Sequence, residues 1–177
     1  MCASILVVTG ASGAGKTATV GALQARGLPG VRCFHFDSIG VAPLDVMERD
    51  HGGPERWQAW ATEQWLERLA RLGDDVRVAV LDAQTRPTTV LAAQGTGTLW
   101  RPQVVLLDCS PEVRAKRLRG PRGQPELATA HMDSWAAYLR GQADALALPV
   151  IDTSEMTIAD AARDLERIVR ELEGASE

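Results

Sequence analysis

Excess basic charge, cysteine pairs and long apolar runs are all missing from this 177-residue chain, and each absence closes a class of function. Its 23 acidic residues outnumber 19 basic ones, for a formal charge of -4, so nothing draws it generally toward nucleic acid or anionic lipid, and neither is expected as a partner. Cys2, Cys33 and Cys109 are odd in number and far apart, with no C-x-x-C pair. That spacing argues against a disulfide framework or a zinc knuckle and for reduced, cytoplasmic thiols. The apolar run 5–8 is too short for a signal-peptide core, follows no basic segment and leads into glycines. No stretch approaches the roughly 18 apolar residues of a membrane span. The expectation is a soluble cytoplasmic protein, of a length that fits one compact domain over residues 1–177, monomeric or homodimeric.

Against that background, short β-rich runs alternate with longer helical patterns, the signature of an α/β fold with a parallel sheet covered by helices on both faces. Five runs qualify as strands: 4–9, 32–36, 77–81, 103–107 and 149–151. Residues 54–72 place Trp57, Ala61, Trp65, Leu69 and Leu72 at helical spacing, with Pro54 suited to the first turn and Gly73 to the C-terminal cap. Ser110-Pro111-Glu112 reads as N-cap, first helical position and dipole-matched acid of a helix through about Leu118. A last helix starts near Thr157 and should bury Ile158, Ala162, Leu165, Ile168, Val169 and Leu172. A shorter helix follows Pro87, and another over 134–146 turns Trp135, Leu139 and Leu146 inward. Residues 119–129, rich in Gly, Pro and Arg, are expected to form a mobile loop, and 174–177 a short tail.

Gly10-Ala11-Ser12-Gly13-Ala14-Gly15-Lys16-Thr17 fits G-x-x-x-x-G-K-[ST] between a predicted strand and a predicted helix, the context that the motif requires. Glycines let consecutive backbone N–H groups turn inward around a phosphate, and the dipole of the helix opening at Lys16, Thr17 and Ala18 favours its charge. Lys16 reaches the β- and γ-phosphates, and the Thr17 hydroxyl is placed to hold Mg²⁺. The loop predicts binding of a nucleoside triphosphate, ATP above others, without fixing the reaction.

The chain here resembles the small P-loop kinases that phosphorylate metabolites, nucleotides or antibiotics, including shikimate and gluconate kinases and chloramphenicol phosphotransferase. The resemblance rests on the phosphate loop, on Phe36-Asp37-Ser38 after the second strand and on the run from Val78 to Asp82. It extends to Cys109-Ser110-Pro111-Glu112 leading to Arg117-Leu118, and to Asp152-Thr153-Ser154 after the last strand. It implies a three-layer P-loop NTPase fold with strand order 2-3-1-4-5 and a lid around 117–130. It also implies Asp37 as base or metal partner at the acceptor hydroxyl, and adenine passing Thr153 and Ser154 with Arg117 stacked on it.

Asp82 and Asp108 each end an apolar run and compete for the role of the acid that orients the water shell of Mg²⁺; the resemblance favours Asp82, with strand-end capping as the alternative. Gln84 and Arg86 follow at a strand's carboxyl end and suit acceptor recognition, although an arginine just before a helix equally pairs with surface acids. Arg117, Arg119 and Arg122 resemble the arginine-bearing lid of such kinases, which surrounds the moving phosphoryl group with positive charge; Arg117 and Arg122 are the candidates for catalysis. His35, within a strand, reads as a packed histidine. Of the tryptophans, Trp60 sits partly off the buried stripe and is the candidate for an acceptor pocket. The implied activity is transfer of the γ-phosphate of ATP, with Mg²⁺, to a hydroxyl of a small molecule. The alternatives are a nucleotide-dependent switch with a protein partner and a nucleoside monophosphate kinase using Arg49, Arg56 or Arg86.

Overall fold

The computed structural model describes residues 3–93 and 101–174. Its strands are β1 (Ser4–Thr9), β2 (Val31–His35), β3 (Val78–Asp82), β4 (Gln103–Asp108) and β5 (Val150–Asp152). They form a five-stranded sheet in the order β2-β3-β1-β4-β5, with every pairing parallel. The central strands β1 and β3 are apolar and buried on both faces, as strands covered by helices must be.

The helices are α1 (Lys16–Ala25), α2 (Leu44–His51), α3 (Pro54–Ala70), α4 (Pro87–Ala92), α5 (Pro111–Arg119), α6 (Ala130–Ala145) and α7 (Ile158–Gly174). Alternation along β1 sorts the core into two layers. Ile5 and Val7 face α3 and α4 with Ala79, Leu81 and Val104, meeting Trp57, Ala61, Trp65, Leu66, Leu69 and Val90. Leu6 and Val8 face α1 and α7 with Val78, Val80, Val105 and Leu107, meeting Val20, Leu23, Leu165, Ile168 and Val169. Full burial of each such side chain contributes roughly 1.5–3 kcal/mol, so the two layers hold the sheet while its carboxyl edge stays open to ligands.

Several local expectations are corrected. Ile158 is 56% exposed because it is the first residue of α7 and turns toward a cavity above the sheet instead of inward. Leu146 is 39% exposed because it caps α6 after the last full turn. α3 ends at Ala70 with Arg71 as its cap, so Gly73 lies beyond the helix. α2 was not anticipated: of its eight residues only Met47 is buried, leaving no apolar stripe to read. Of the expected tail, Gly174 closes α7 and the remaining residues lie outside the described set, as does Cys2.

Candidate nucleotide and acceptor site

The phosphate loop runs from the end of β1 to the start of α1 and is wedged against its neighbours. Gly10 has φ +150°, and a Cβ there would sit 2.2 Å from the Leu107 carbonyl oxygen; at Gly13, with φ +85°, it would meet the Arg114 side chain at 2.9 Å. Neither position admits a side chain. The cap of α1 is Gly15, which offers no side-chain oxygen, and the first turn holds no acid. No side-chain cap therefore occupies the N–H groups that open the helix, an arrangement suited to an anion.

Lys16 lies beneath the loop, 8% exposed, and donates to the Ala11 carbonyl at 3.3 Å. Burial pushes its pKa from 10.5 down to about 8, against the opposing pull of Asp82; Arg122 lowers it further and Asp37 raises it. The Thr17 hydroxyl donates to Asp82 Oδ2 at 2.7 Å, and His35 Nδ1 lies 3.1 Å from the same oxygen. Of the two strand-end acids, Asp82 is the one in contact with the phosphate loop. Asp108 instead accepts from Arg114 Nη2 at 3.2 Å and from the Cys109 amide at 2.8 Å, so it anchors α5 to β4.

Two cavities flank the loop. One, of about 330 Å³, is lined by Gly13, Gly15, Thr17, Ala18 and Thr19 of the loop and α1, by Arg117, Pro121 and Arg122, and by Thr153, Met156, Thr157, Ile158 and Ala161. Its far wall is largely apolar, as a nucleotide base requires. The other, of about 340 Å³, is lined by Lys16, Thr17, His35, Phe36, Asp37, Asp82, Ala83, Gln84 and Arg122. Thr17 and Arg122 belong to both, so the cavities meet at the first turn of α1.

Arg117 is engaged by the protein itself. It donates to the Thr153 hydroxyl at 2.8 Å, the Thr153 carbonyl at 2.6 Å and the Gly13 carbonyl at 3.3 Å, tying α5 to the loop and to β5. Thr153 is buried and donates to the Ala14 carbonyl at 2.9 Å. Ser154 lies outside the first cavity: its hydroxyl bonds Asp152 and accepts from the Ser110 amide. Arg122 bonds Gln124.

In the second cavity Asp37, in a 3-10 turn over Phe36–Ile39, presents an exposed carboxylate with no hydrogen bond among the described residues. Gln84 accepts from Ser12 Oγ at 2.9 Å. Arg86 lies outside the lining; its guanidinium donates to Glu55 at 2.5 Å and Gln58 at 3.3 Å and lies over the Trp135 ring. Trp60 is likewise outside, 45% exposed and packed against His51. His35, read from sequence as a packed residue, instead lines the cleft beside Asp82. Pro121, Met156, Thr157, Ile158 and Ala161 were not anticipated as lining residues; the strand-end rule applied just past β5 would have found the last four.

No protein-family model matches the chain. It is 31% identical to a "Nucleotide-binding protein" of Dinoroseobacter shibae, over 92% of its own length; it spans about half, 49%, of that relative. Among solved structures it is similar to shikimate kinase from Acinetobacter baumannii in complex with shikimate, at TM-score 0.62 and 16% identity, covering 96% of this chain and 94% of that one. It is also similar to the tunicamycin resistance protein of Deinococcus radiodurans, at 0.62 and 21%, covering 94% and 95%. A gluconokinase from Sinorhizobium meliloti aligns at 0.58 and 20%, covering 98% of both chains. Over nearly its whole length, the chain shares its fold with the P-loop kinases of the shikimate kinase and gluconokinase type.

Proposed function

We propose that the chain is an ATP-dependent phosphotransferase that moves the γ-phosphoryl group to a hydroxyl of a small molecule. The observation that carries the reading is the meeting of two cavities at Thr17 and Arg122, one apolar and open to the phosphate loop, the other polar and holding an unpaired carboxylate. The first takes the nucleotide. Its lining contains no carboxylate to bond a guanine, and Asp152 nearby is held by Ser154, which favours ATP over GTP.

Thr17 and Asp82 offer a hydroxyl and a carboxylate in contact, hard oxygen donors of the kind Mg²⁺ takes. Among the described residues no cluster of three His, Cys, Asp or Glu would hold a metal alone, as fits a cation held chiefly between phosphates and water. Bound there with the nucleotide, Mg²⁺ would supply charge neutralisation at the phosphate oxygens.

The chain's own residues do the rest. Lys16 and the loop amides hold the transferred charge, and Asp37 takes the acceptor's hydroxyl proton. The acceptor oxygen then forms its bond to the γ-phosphorus as the bond to the bridging oxygen breaks, and ADP leaves with that electron pair. Arg122, on the segment 117–130 that acts as a lid, completes the positive surround. Where ATP is made and thiols stay reduced, in the cytoplasm, the free Cys33 and Cys109 are at home. Incubation with γ-labelled ATP and a panel of hydroxylated metabolites, nucleosides and antibiotics tests the reading. Label in an acceptor supports it, and steady hydrolysis with no acceptor labelled removes it.

A second reading has support of its own in the relative's description as a nucleotide-binding protein of about twice the length. On it, the chain is a nucleotide-dependent binding module. Partner recovery that is the same with ATP, ADP or no nucleotide would rule that out.

A further inference from the structure

We infer that the acceptor carries a hydroxyl but no carboxylate, phosphate or sulfate; this rests on the phosphotransferase reading and sharpens it to a substrate class. An anionic acceptor needs a cation beyond those that hold the moving phosphoryl group, because one guanidinium or ammonium does not neutralise both. Among the described residues the acceptor cleft has one lysine and one arginine, and its one histidine, His35, is turned onto Asp82. Lys16 belongs to the phosphate loop, and Arg122 also lines the nucleotide cavity, so both serve the phosphates.

On the β2 and β3 sides of the cleft the nearest arginines are engaged elsewhere: Arg32 pairs with Asp75. Arg86, two residues past Gln84, is held by Glu55 and Gln58 and stacked on Trp135. Arg49 is paired with Asp50, and Arg56 and Arg119 lie outside the lining of the cleft. The undescribed residues 1–2, 94–100 and 175–177 contain no lysine or arginine. What the cleft does offer is suited to a neutral or amine-bearing molecule. Asp37 repels an anion, the Gln84 amide nitrogen makes no hydrogen bond among the described residues and is left to donate, and Phe36 supplies an apolar wall.

The test uses a low-molecular-mass cell extract divided on an anion exchanger at neutral pH. Each fraction is incubated with the full chain, Mg²⁺ and γ-labelled ATP, and transfer is read as phosphatase-sensitive label. Label arising in the unretained fraction is expected. Label arising only in the retained fraction overturns the inference and leaves the phosphotransferase reading standing. Label in neither, with hydrolysis unaffected by both, removes that reading and this one with it.

Matched pairs, each nucleoside against its 5′-monophosphate and each sugar against its uronic acid, give the same comparison in kinetic form. In the pair whose neutral member is a substrate, kcat/KM should favour that member by about tenfold or more. A ratio of one or below in the wild-type protein overturns the inference.

Discussion

At Lys16 a buried ammonium is held beneath a loop that, without nucleotide, gives it one carbonyl and the distant pull of two carboxylates. Its lowered pKa states the cost in sign and size. The folded state binds the proton less tightly than the unfolded state, so below about pH 8 the charge is retained in both and the full destabilisation is present. Between about 8 and 10.5 the folded protein releases the proton first and the penalty fades. Lys16→Met should therefore stabilise the nucleotide-free protein at pH 7 by up to about 3 kcal/mol, with the gain vanishing near pH 10.5 and nucleotide binding lost. Urea unfolding at the two pH values reads this directly; a variant less stable than wild type at pH 7 would contradict it. Asp37 is the opposite case, exposed and without a hydrogen bond among the described residues, so the fold leans on it only through its weak pull on Lys16. Asp37→Asn should leave stability and ATP affinity unchanged while lowering kcat by about 10²–10⁴-fold. Equal loss of stability and activity would mean that the carboxylate is structural.

At the scale of elements, β3 and β4 end in aspartates that look alike in sequence and do different work. Asp108 pairs with Arg114 of α5, which is 3% exposed and also holds Asp133 of α6 and the Cys109 carbonyl, so three elements meet on one guanidinium. Asp108→Asn should cost on the order of 3 kcal/mol, because it leaves a buried guanidinium short of one anion, and should not change the Mg²⁺ dependence of nucleotide binding. Asp82→Asn should do the reverse, and nucleotide titrations with and without Mg²⁺ beside unfolding curves separate the two. An Asp108 variant that lost the metal dependence would return that role to β4. The same distinction explains what the sequence made legible. The five strands, to within a residue or so, and the loop are readable because each is a contiguous pattern, whether alternation, apolar run or glycine spacing, whereas the sheet order comes only from the family resemblance. In the second cavity Lys16, Thr17, Asp37, Asp82, Gln84 and Arg122 are legible one by one from motif, strand end and resemblance, but not the pairing of His35 with Asp82 or of Ser12 with Gln84, which are 47 and 72 residues apart. Arg86 is open to either fate in the sequence, and the position of Glu55 at the start of α3 shows that it is paired.

For the whole molecule, the decisive feature is that one side chain, Arg122, faces both cavities from a segment linking α5 to α6. A nucleotide that draws Arg122 toward its phosphates also orders that side of the acceptor cleft, so the second ligand meets a site already set. Such coupling is reciprocal: whatever factor the nucleotide contributes to acceptor affinity, the acceptor must return to nucleotide affinity. Acceptor titrations with and without a non-hydrolysable ATP analogue should differ by about 5–100-fold, and analogue titrations with and without acceptor by the same factor. Arg122→Ala should shrink that factor toward one while changing each ligand's solitary affinity far less, since Lys16, the loop amides and Asp37 remain in place. Hydrogen exchange over residues 117–130 gives an independent reading, with protection expected to rise on adding the analogue and to rise again with acceptor. Two ligands that bind independently in the wild-type protein, with no added protection of that segment, would mean that Arg122 lies between the cavities without joining them.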